Sequence, residues 1–225
     1  MNNAAIILGA GAGTRMKADK SKLLLEINGK TVLERTVETF SKIKEINEII
    51  VVCRESDLDS FENVLLPYNV SYCFGGETRQ QSVMNAVETI DECDYLLIHD
   101  GARPLITEKE ITDTLTSAIQ NGAAAVGVMV KDTIKVIDSN YQIVSTPDRS
   151  SLVSIRTPQI FEFKMYVDAV EKAKADGKDF TDDCQLIEYF GKPVFTVIGD
   201  YGNIKITTPE DLPMAEGVLK MRGER

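Results

Sequence analysis

Histidine is nearly absent from this chain of 225 residues, and His99 is the only one. A serine–histidine relay would have to run through it, and no nucleophile elbow lies nearby. Cysteine is scarce as well. Cys53, Cys73, Cys93 and Cys184 form no C-x-x-C pair and have no metal-ligand spacing. Cys53 and Cys73 fall in apparent strands, where cysteine serves as a small core residue. No apolar run approaches the roughly 20 residues that span a bilayer. The opening Met1-Asn2-Asn3 lacks the basic start of a signal peptide. A cytoplasmic protein is the expectation. Positive charge is in deficit too: 25 Lys and Arg against 35 Asp and Glu give a net charge of −10. That argues against a general nucleic-acid or anionic-membrane surface, but not against a small anion in a locally basic pocket.

What is present reads as one α/β domain over 1–225. A hydrophobic content of 43% is ordinary for a globular core. Apolar runs predict strands near 4–8, 48–53, 70–74, 94–98 and 123–129. Helical patterns predict helices near 31–42, 56–66, 78–90 and 107–120. Val83, Val87 and Ile90 recur at helical spacing as a core-facing stripe. Such alternation predicts a mostly parallel sheet covered on both faces. The pattern breaks after Val130. Thr133–Ile137, a polar Asp138-Ser139-Asn140 turn and Gln142–Val144 read as a hairpin, which must pack on something because an isolated hairpin is marginal in water. Helices near 160–175 and 182–190, strands near 193–198 and 203–206, and a last helix from about Pro209 follow.

The first strand, Ala4–Leu8, opens into Gly9-Ala10-Gly11-Ala12-Gly13-Thr14-Arg15. Glycines there let backbone N–H groups approach phosphate oxygens, and Arg15 and Lys22 add two cations. A tight turn whose glycines only relieve strain fits the same residues. Two better-known phosphate loops do not fit. The dinucleotide fingerprint needs glycine three residues after Gly11, where Thr14 stands. A Walker A loop ending in Gly29-Lys30-Thr31 needs glycine at Leu24. Gly29-Lys30 instead reads as a turn before a helix.

Ligands in such sheets sit beyond the C-terminal ends of the strands. Two segments fall there: Gly75-Gly76-Glu77-Thr78-Arg79 and His99-Asp100-Gly101-Ala102-Arg103-Pro104. Asp100 suits magnesium, a hard cation that takes carboxylate and phosphate oxygens. It suits a helix cap or turn equally. Arg103 fits a local ion pair with Asp100 or a phosphate. Thr181 reads as a helix N-cap. Lys205 lies between Ile204 and Ile206 in an apparent strand, so either that face meets solvent or Lys205 meets an anion.

The stretches GAGAGTRM, GGETRQQSV, HDGARP, DTIK, DRSSL, RTPQIF, TDD and NIKITTPEDL run in order from residue 6 to about 216. In them the chain resembles the 2-C-methyl-D-erythritol 4-phosphate cytidylyltransferases. The resemblance implies an α/β nucleotide-diphospho-sugar transferase (Rossmann-like) fold. Its seven-stranded mixed sheet carries a projecting hairpin arm, here about 131–151, that reaches a partner in a homodimer. It implies transfer of CMP from CTP to the phosphosugar, with Mg2+ as cofactor. By position, Ala10, Gly11 and Gly13 cradle CTP, and Gly76 and Ser82 contact the cytosine. Arg15 and Lys22 are the basic catalytic residues, Lys205 meets the phosphates and Asp100 holds magnesium. Glu77, Arg103, Thr133, Arg149, Thr157 and Thr181 fall to the phosphosugar side, with Thr133 and Arg149 coming from the neighbouring subunit. The chain departs from the family's usual residues at Ser21-Lys22-Leu23 for Pro-Lys-Gln, at Glu77 for Asp, at Gly101 for Ala, and at Leu8-Gly9 for Pro-Ala. Ribitol-5-phosphate cytidylyltransferases share much of the pattern and are the nearest alternative. A nucleotide-binding module without turnover and a dinucleotide-dependent oxidoreductase are further ones.

Overall fold

A computed structural model describes residues 1–11 and 21–224. Arg15 and Gly13, assigned above to CTP, lie outside the described residues. Strand β1 (Asn3–Leu8) leads to a short hairpin, β2 (Glu26–Ile27) and β3 (Lys30–Thr31). The hairpin turns on Asn28 at φ 49° and Gly29 at φ 77°, as Gly29-Lys30 anticipated. Thr31 then caps α1 (Val32–Ser41) by accepting from the Glu34 N–H at 3.1 Å. There follow β4 (Ile46–Cys53), α2 (Leu58–Leu65), β5 (Ser71–Phe74), α3 (Arg79–Val87), β6 (Tyr95–Asp100), α4 (Glu108–Asn121) and β7 (Ala123–Met129). The second half holds β8 (Val136–Ile137), β9 (Ile143–Ser145), β10 (Val153–Glu162), α5 (Phe163–Ala175), α6 (Asp183–Tyr189), β11 (Phe195–Ile198) and α7 (Asp211–Arg222).

Seven strands form one sheet in the order β11-β7-β10-β6-β1-β4-β5. All neighbours run parallel except β10, which lies antiparallel to both β6 and β7. Alternation along the strands divides the core. Ala5, Ile7, Val51 and Leu97 pack with α1, α2 and α4 on one face. Ala4, Ile6, Val52, Leu96 and Ile98 pack with α3, α5 and α6 on the other. Ala5, Ile6 and Ile7 have no exposed surface, so the centre of the sheet is covered on both sides.

Three expectations are corrected. Residues 160–162 belong to β10, not to the following helix. Arg156, Pro158 and Gln159 interrupt its apolar pattern, and its pairing with β7 shifts register between Ile155 and Gln159. Residues 203–206 are extended but join no ladder: the Ile206 N–H donates to the Ala102 carbonyl at 2.8 Å and the Ile204 N–H to Gly202. The cap of α6 is Asp182, which accepts from Gln185, while Thr181 lies exposed just before it.

The hairpin forms as expected and stands away from the sheet. Asp138 Oδ1 organises its turn, accepting from the N–H groups of Asn140 at 2.8 Å and Gln142 at 2.9 Å. Ile134, Val136, Ile137, Ile143 and Val144 are between 40% and 64% exposed. The base is pinned. Arg149 donates to the Lys131 carbonyl at 2.6 Å, and the Lys131 ammonium sits 3.5 Å over the Tyr201 ring.

Candidate active site

Three sheet loops converge because backbone hydrogen bonds tie each to a neighbouring strand end. The Gly9 N–H donates to Val52 at 2.7 Å, the Gly75 N–H to Cys53 at 3.0 Å, and the Gly101 N–H to Leu8 at 2.9 Å. Close approach demands glycine at Gly75, where a Cβ would lie 2.4 Å from the Ala10 methyl. Between these loops lies a cavity of about 490 Å³. Leu8–Gly11, Lys22, Leu23, Arg54, Gly76–Arg79, Ser82, Asp100, Ala102 and Lys205 line it.

The two lysines arrive from opposite ends of the chain and meet here. Lys22 donates from Nζ to the Ile206 carbonyl at 2.8 Å, which ties the Ser21–Leu24 turn to the segment bearing Lys205. Lys205 Nζ sits 2.8 Å from Asp100 Oδ2. Arg103 Nε approaches the same oxygen at 3.4 Å, and its Nη1 donates to the Asn203 carbonyl at 3.1 Å. Both possibilities left open for Lys205 hold: its side chain is 41% exposed, and its ammonium meets an anion, a carboxylate of its own chain. Burial opposes the charge of Asp100, but Lys205, Arg103 and Arg79 outweigh it and hold the carboxyl well below the usual carboxylate range.

Ser82 shapes the adjoining turn. Its hydroxyl accepts from the Gly76 N–H at 3.0 Å and donates to the Thr78 carbonyl at 2.9 Å. Thr78 caps α3 through the Gln81 N–H. Glu77 is exposed on the rim. Thr157 is buried just below the cavity and touches Asp100 rather than lining it. Thr133 and Arg149 lie on the exposed arm and Thr181 before α6, all outside the cavity lining.

The sequence reading assigned no role to two cations, Arg54 and Arg79, although Arg79 closes the Gly75–Arg79 segment named there. Arg54 lines the cavity and clasps Asp57 with both ends of its guanidinium, at 2.7 and 3.0 Å. Arg79 lines it as well and pairs with the buried Asp183 at 2.5 Å, where Tyr166 also donates at 2.8 Å. Burial alone would lower the Arg79 pKa, but Asp183 reverses this and keeps the guanidinium charged. The signal was an arginine at the first position of a helix, where cations are disfavoured.

The departures at Gly9, Leu23 and Gly101 lie side by side in the fold. A Cβ on Gly9 would lie 3.1 Å from Leu23 Cδ1, and a Cβ on Gly101 3.4 Å from the same methyl. Leu23 is 2% exposed and packs beside both glycines, whose nearest neighbours are the Val52 and Leu8 carbonyls. Ser21, in place of proline, accepts from the Leu23 N–H at 3.4 Å and caps the turn that presents Lys22.

Among the described residues no group of three or more His, Cys, Asp or Glu forms a metal cluster. Asp100 still fits a magnesium that keeps waters and substrate phosphates as its other ligands, because its carboxyl stays ionised and Oδ1 has no hydrogen bond among the described residues. No described helix is long and apolar enough to cross a membrane.

Comparison with known proteins places the chain in a family. The family model described as "IspD: 2-C-methyl-D-erythritol 4-phosphate cytidylyltransferase" matches residues 3–221. A relative of that name from Caldanaerobacter subterraneus is 46% identical over 226 residues, covering 98% of this chain and all of its own. One from Clostridium perfringens is 43% identical over 220 residues, covering 96% and 98%. The solved 4-diphosphocytidyl-2C-methyl-D-erythritol synthase of Anaerococcus prevotii superposes with a TM-score of 0.87 at 38% identity, covering 97% of this chain and 96% of its own. Extent, order of motifs and fold all agree: the chain belongs to the 2-C-methyl-D-erythritol 4-phosphate cytidylyltransferase family.

Proposed function

We propose that this protein transfers CMP from CTP to 2-C-methyl-D-erythritol 4-phosphate, giving 4-diphosphocytidyl-2-C-methyl-D-erythritol and pyrophosphate in isoprenoid precursor biosynthesis. The observation that carries the reading is the meeting of Lys22 and Lys205 in one cavity with the glycine-rich turn after β1. The relatives named above carry the methylerythritol activity, which does not favour the ribitol-5-phosphate alternative. They are enzymes by name, which leaves the module without turnover equally unsupported.

The chemistry is in-line attack of the phosphosugar's phosphate oxygen on the α-phosphorus of CTP. That oxygen is already anionic near neutral pH, so the step needs no strong base. The fully buried His99 offers none. The obstacle is repulsion between two polyanions. Two unit charges ~4 Å apart at an effective dielectric of ~20 repel by roughly 4 kcal/mol. Fixed cations and N–H donors aimed at the reacting phosphates offset that cost. Lys22 and Arg15 act on the triphosphate, and Lys205 joins the two phosphates. Ala10, Gly11 and Gly13 supply backbone N–H groups, and Gly76 and Ser82 form the cytosine wall. Glu77, Arg103, Thr157 and Thr181 serve the phosphosugar. Magnesium bound at Asp100 would neutralise further phosphate charge. Lys205 and Arg103 occupy that carboxylate in the structure, so nucleotide entry draws Lys205 from Asp100 toward phosphate.

The whole chain acts as one domain with an arm at about 131–151, in a cytoplasmic homodimer. The exposed apolar residues of the arm support this, because a two-stranded ribbon does not hold them against water alone. Arg149 and Thr133 then reach the partner's site. A pyrophosphate-release assay crossing four nucleoside triphosphates with the two polyol phosphates tests the reading. Release is expected with CTP and the methylerythritol phosphate. Greater kcat/KM with ribitol 5-phosphate, or CTP binding without release, would overturn it.

A further inference from the structure

His99 is the one histidine of the chain, has no exposed surface and does not line the cavity, yet it is bonded to the residues on either side of the Asp100 turn. Its Nε2 lies 3.3 Å from the Arg103 carbonyl oxygen. A carbonyl only accepts, so Nε2 carries the ring proton. Nδ1 is then an acceptor, and the Thr157 hydroxyl 3.0 Å away donates to it. The same hydroxyl accepts from the Asp100 N–H at 3.0 Å. Every donor in this relay points one way, from Asp100 through Thr157 and His99 to Arg103. Phe40 packs against the ring at 4.9 Å and helps hold its plane. The Thr157 carbonyl in turn accepts from Asn203 at 3.1 Å, next to the segment bearing Lys205.

We propose that His99 is a positioning residue of the reaction. Through the Thr157 hydroxyl it fixes Asp100, and through the Arg103 carbonyl it fixes Arg103, so that both meet their ligands in one orientation. The inference rests on the function proposed above. It also changes the part of Thr157: its hydroxyl proton and one lone pair serve the relay before any substrate. A neutral ring with two distinct nitrogens suits the task. An amide side chain also carries one donor and one acceptor, but at different reach.

A lone histidine makes the relay visible without activity. In ¹⁵N-histidine-labelled protein at pH 7.5, we expect the Nε2–H tautomer, with Nδ1 unprotonated and shifted by Thr157→Val. Thr157→Val should lower kcat about 10–100-fold, the range for residues that orient a ligand through another group. KM for CTP should move less than ~3-fold, since the base-reading turn lies elsewhere, and Thr157→Ser should rescue kcat. His99→Gln should lower kcat to a similar degree, and the double variant should be no worse than the worse single one. An Nδ1–H tautomer, an unchanged kcat in Thr157→Val, or losses that multiply in the double variant would each overturn the proposal. If His99→Gln fails to fold, the tautomer and the Val–Ser pair decide. If the wild type releases no pyrophosphate while the tautomer is as expected, the functional reading fails and the relay stands as a structural feature only.

Discussion

The cavity and the arm are built on opposite terms. At the cavity, the buried carboxylates are each answered: Asp100 by Lys205 and Arg103, Asp183 by Arg79, Asp57 by Arg54. On the arm, apolar groups are exposed and unanswered, and only its base is tied to the body. The first arrangement is complete within one chain and waits for a ligand that competes for its ion pairs. The second leaves apolar side chains open to water, which the partner subunit of the proposed dimer would cover. On the function proposed above, the cavity carries the chemistry, while the arm holds the subunits together and lends Arg149 and Thr133 to the partner's site.

The sharpest way to break that contrast is to remove a cation from the cavity. Lys22→Ala and Lys205→Ala should lower turnover by about 10²–10³, the usual loss when one preorganised transition-state contact goes. Lys205→Ala also takes a partner from the buried Asp100, so part of its effect should appear as lower thermal stability, with Arg103 still facing that carboxylate. Steady-state pyrophosphate release within a few-fold of wild type would remove either lysine from the chemistry. Smaller in expected effect, Ile143→Asp with Val144→Asp should convert the protein to monomer in light scattering and lower activity about tenfold or more. Mixed dimers of an Arg149→Ala chain with a Lys22→Ala chain should regain part of the activity, since one site then has both groups. Verified mixed dimers with no recovery would confine the arm to holding the subunits together.

Acid separates the regions again, because the arm carries no buried titratable group. His99 has its folded pKa depressed to about 3 from 6.5. Its contribution is therefore complete above pH 6.5. Below that the unfolded chain takes up a proton that the folded one refuses. Stability should fall by up to ~1.4 kcal/mol per pH unit between 6.5 and about 3. Asp183 acts in the opposite sense, since burial raises its pKa, so the slope is cleanest between pH 6.5 and 5. A flat urea midpoint over that interval would contradict a buried neutral ring.

Most of this was readable in the sequence, for reasons that differ by element. β1, β4 and β6 are covered on both faces, so they appear as unbroken apolar runs, and the loops after them had to carry the ligand site. The hairpin announced itself by alternation around a polar turn. β10 did not, because Arg156, Pro158 and Gln159 serve polar partners and a register shift in the middle of the sheet. Residues 203–206 look like a strand because Ile204 and Ile206 alternate with Lys205, but their hydrogen bonds go to single loops instead of a ladder. Arg54 went unnamed and Arg79 was named only within its segment, because each has a carboxylate distant from the glycine loop or inconspicuous in sequence. Hydrogen-bond direction, which defines the His99 relay, has no trace in residue order at all.

The smallest effect concerns Leu23, and it asks whether the cavity's floor is as finely fitted as its charges. A Cβ on Gly101 would come 2.9 Å from the Leu8 carbonyl and 3.4 Å from Leu23 Cδ1; one on Gly9 would come 2.8 Å from the Val52 carbonyl and 3.1 Å from the same methyl. Gly9→Ala or Gly101→Ala alone should cost about 1–3 kcal/mol, as overpacking does. Leu23→Ala alone should cost about 2–5 kcal/mol by leaving a cavity. If one methyl of Leu23 stands in for two missing ones, Gly9→Ala combined with Leu23→Ala should be more stable than the sum of the separate losses by ~0.5–1 kcal/mol or more. Strict additivity in urea unfolding would mean that the backbone carbonyls, not Leu23, decide those glycines, and the three departures would then be independent.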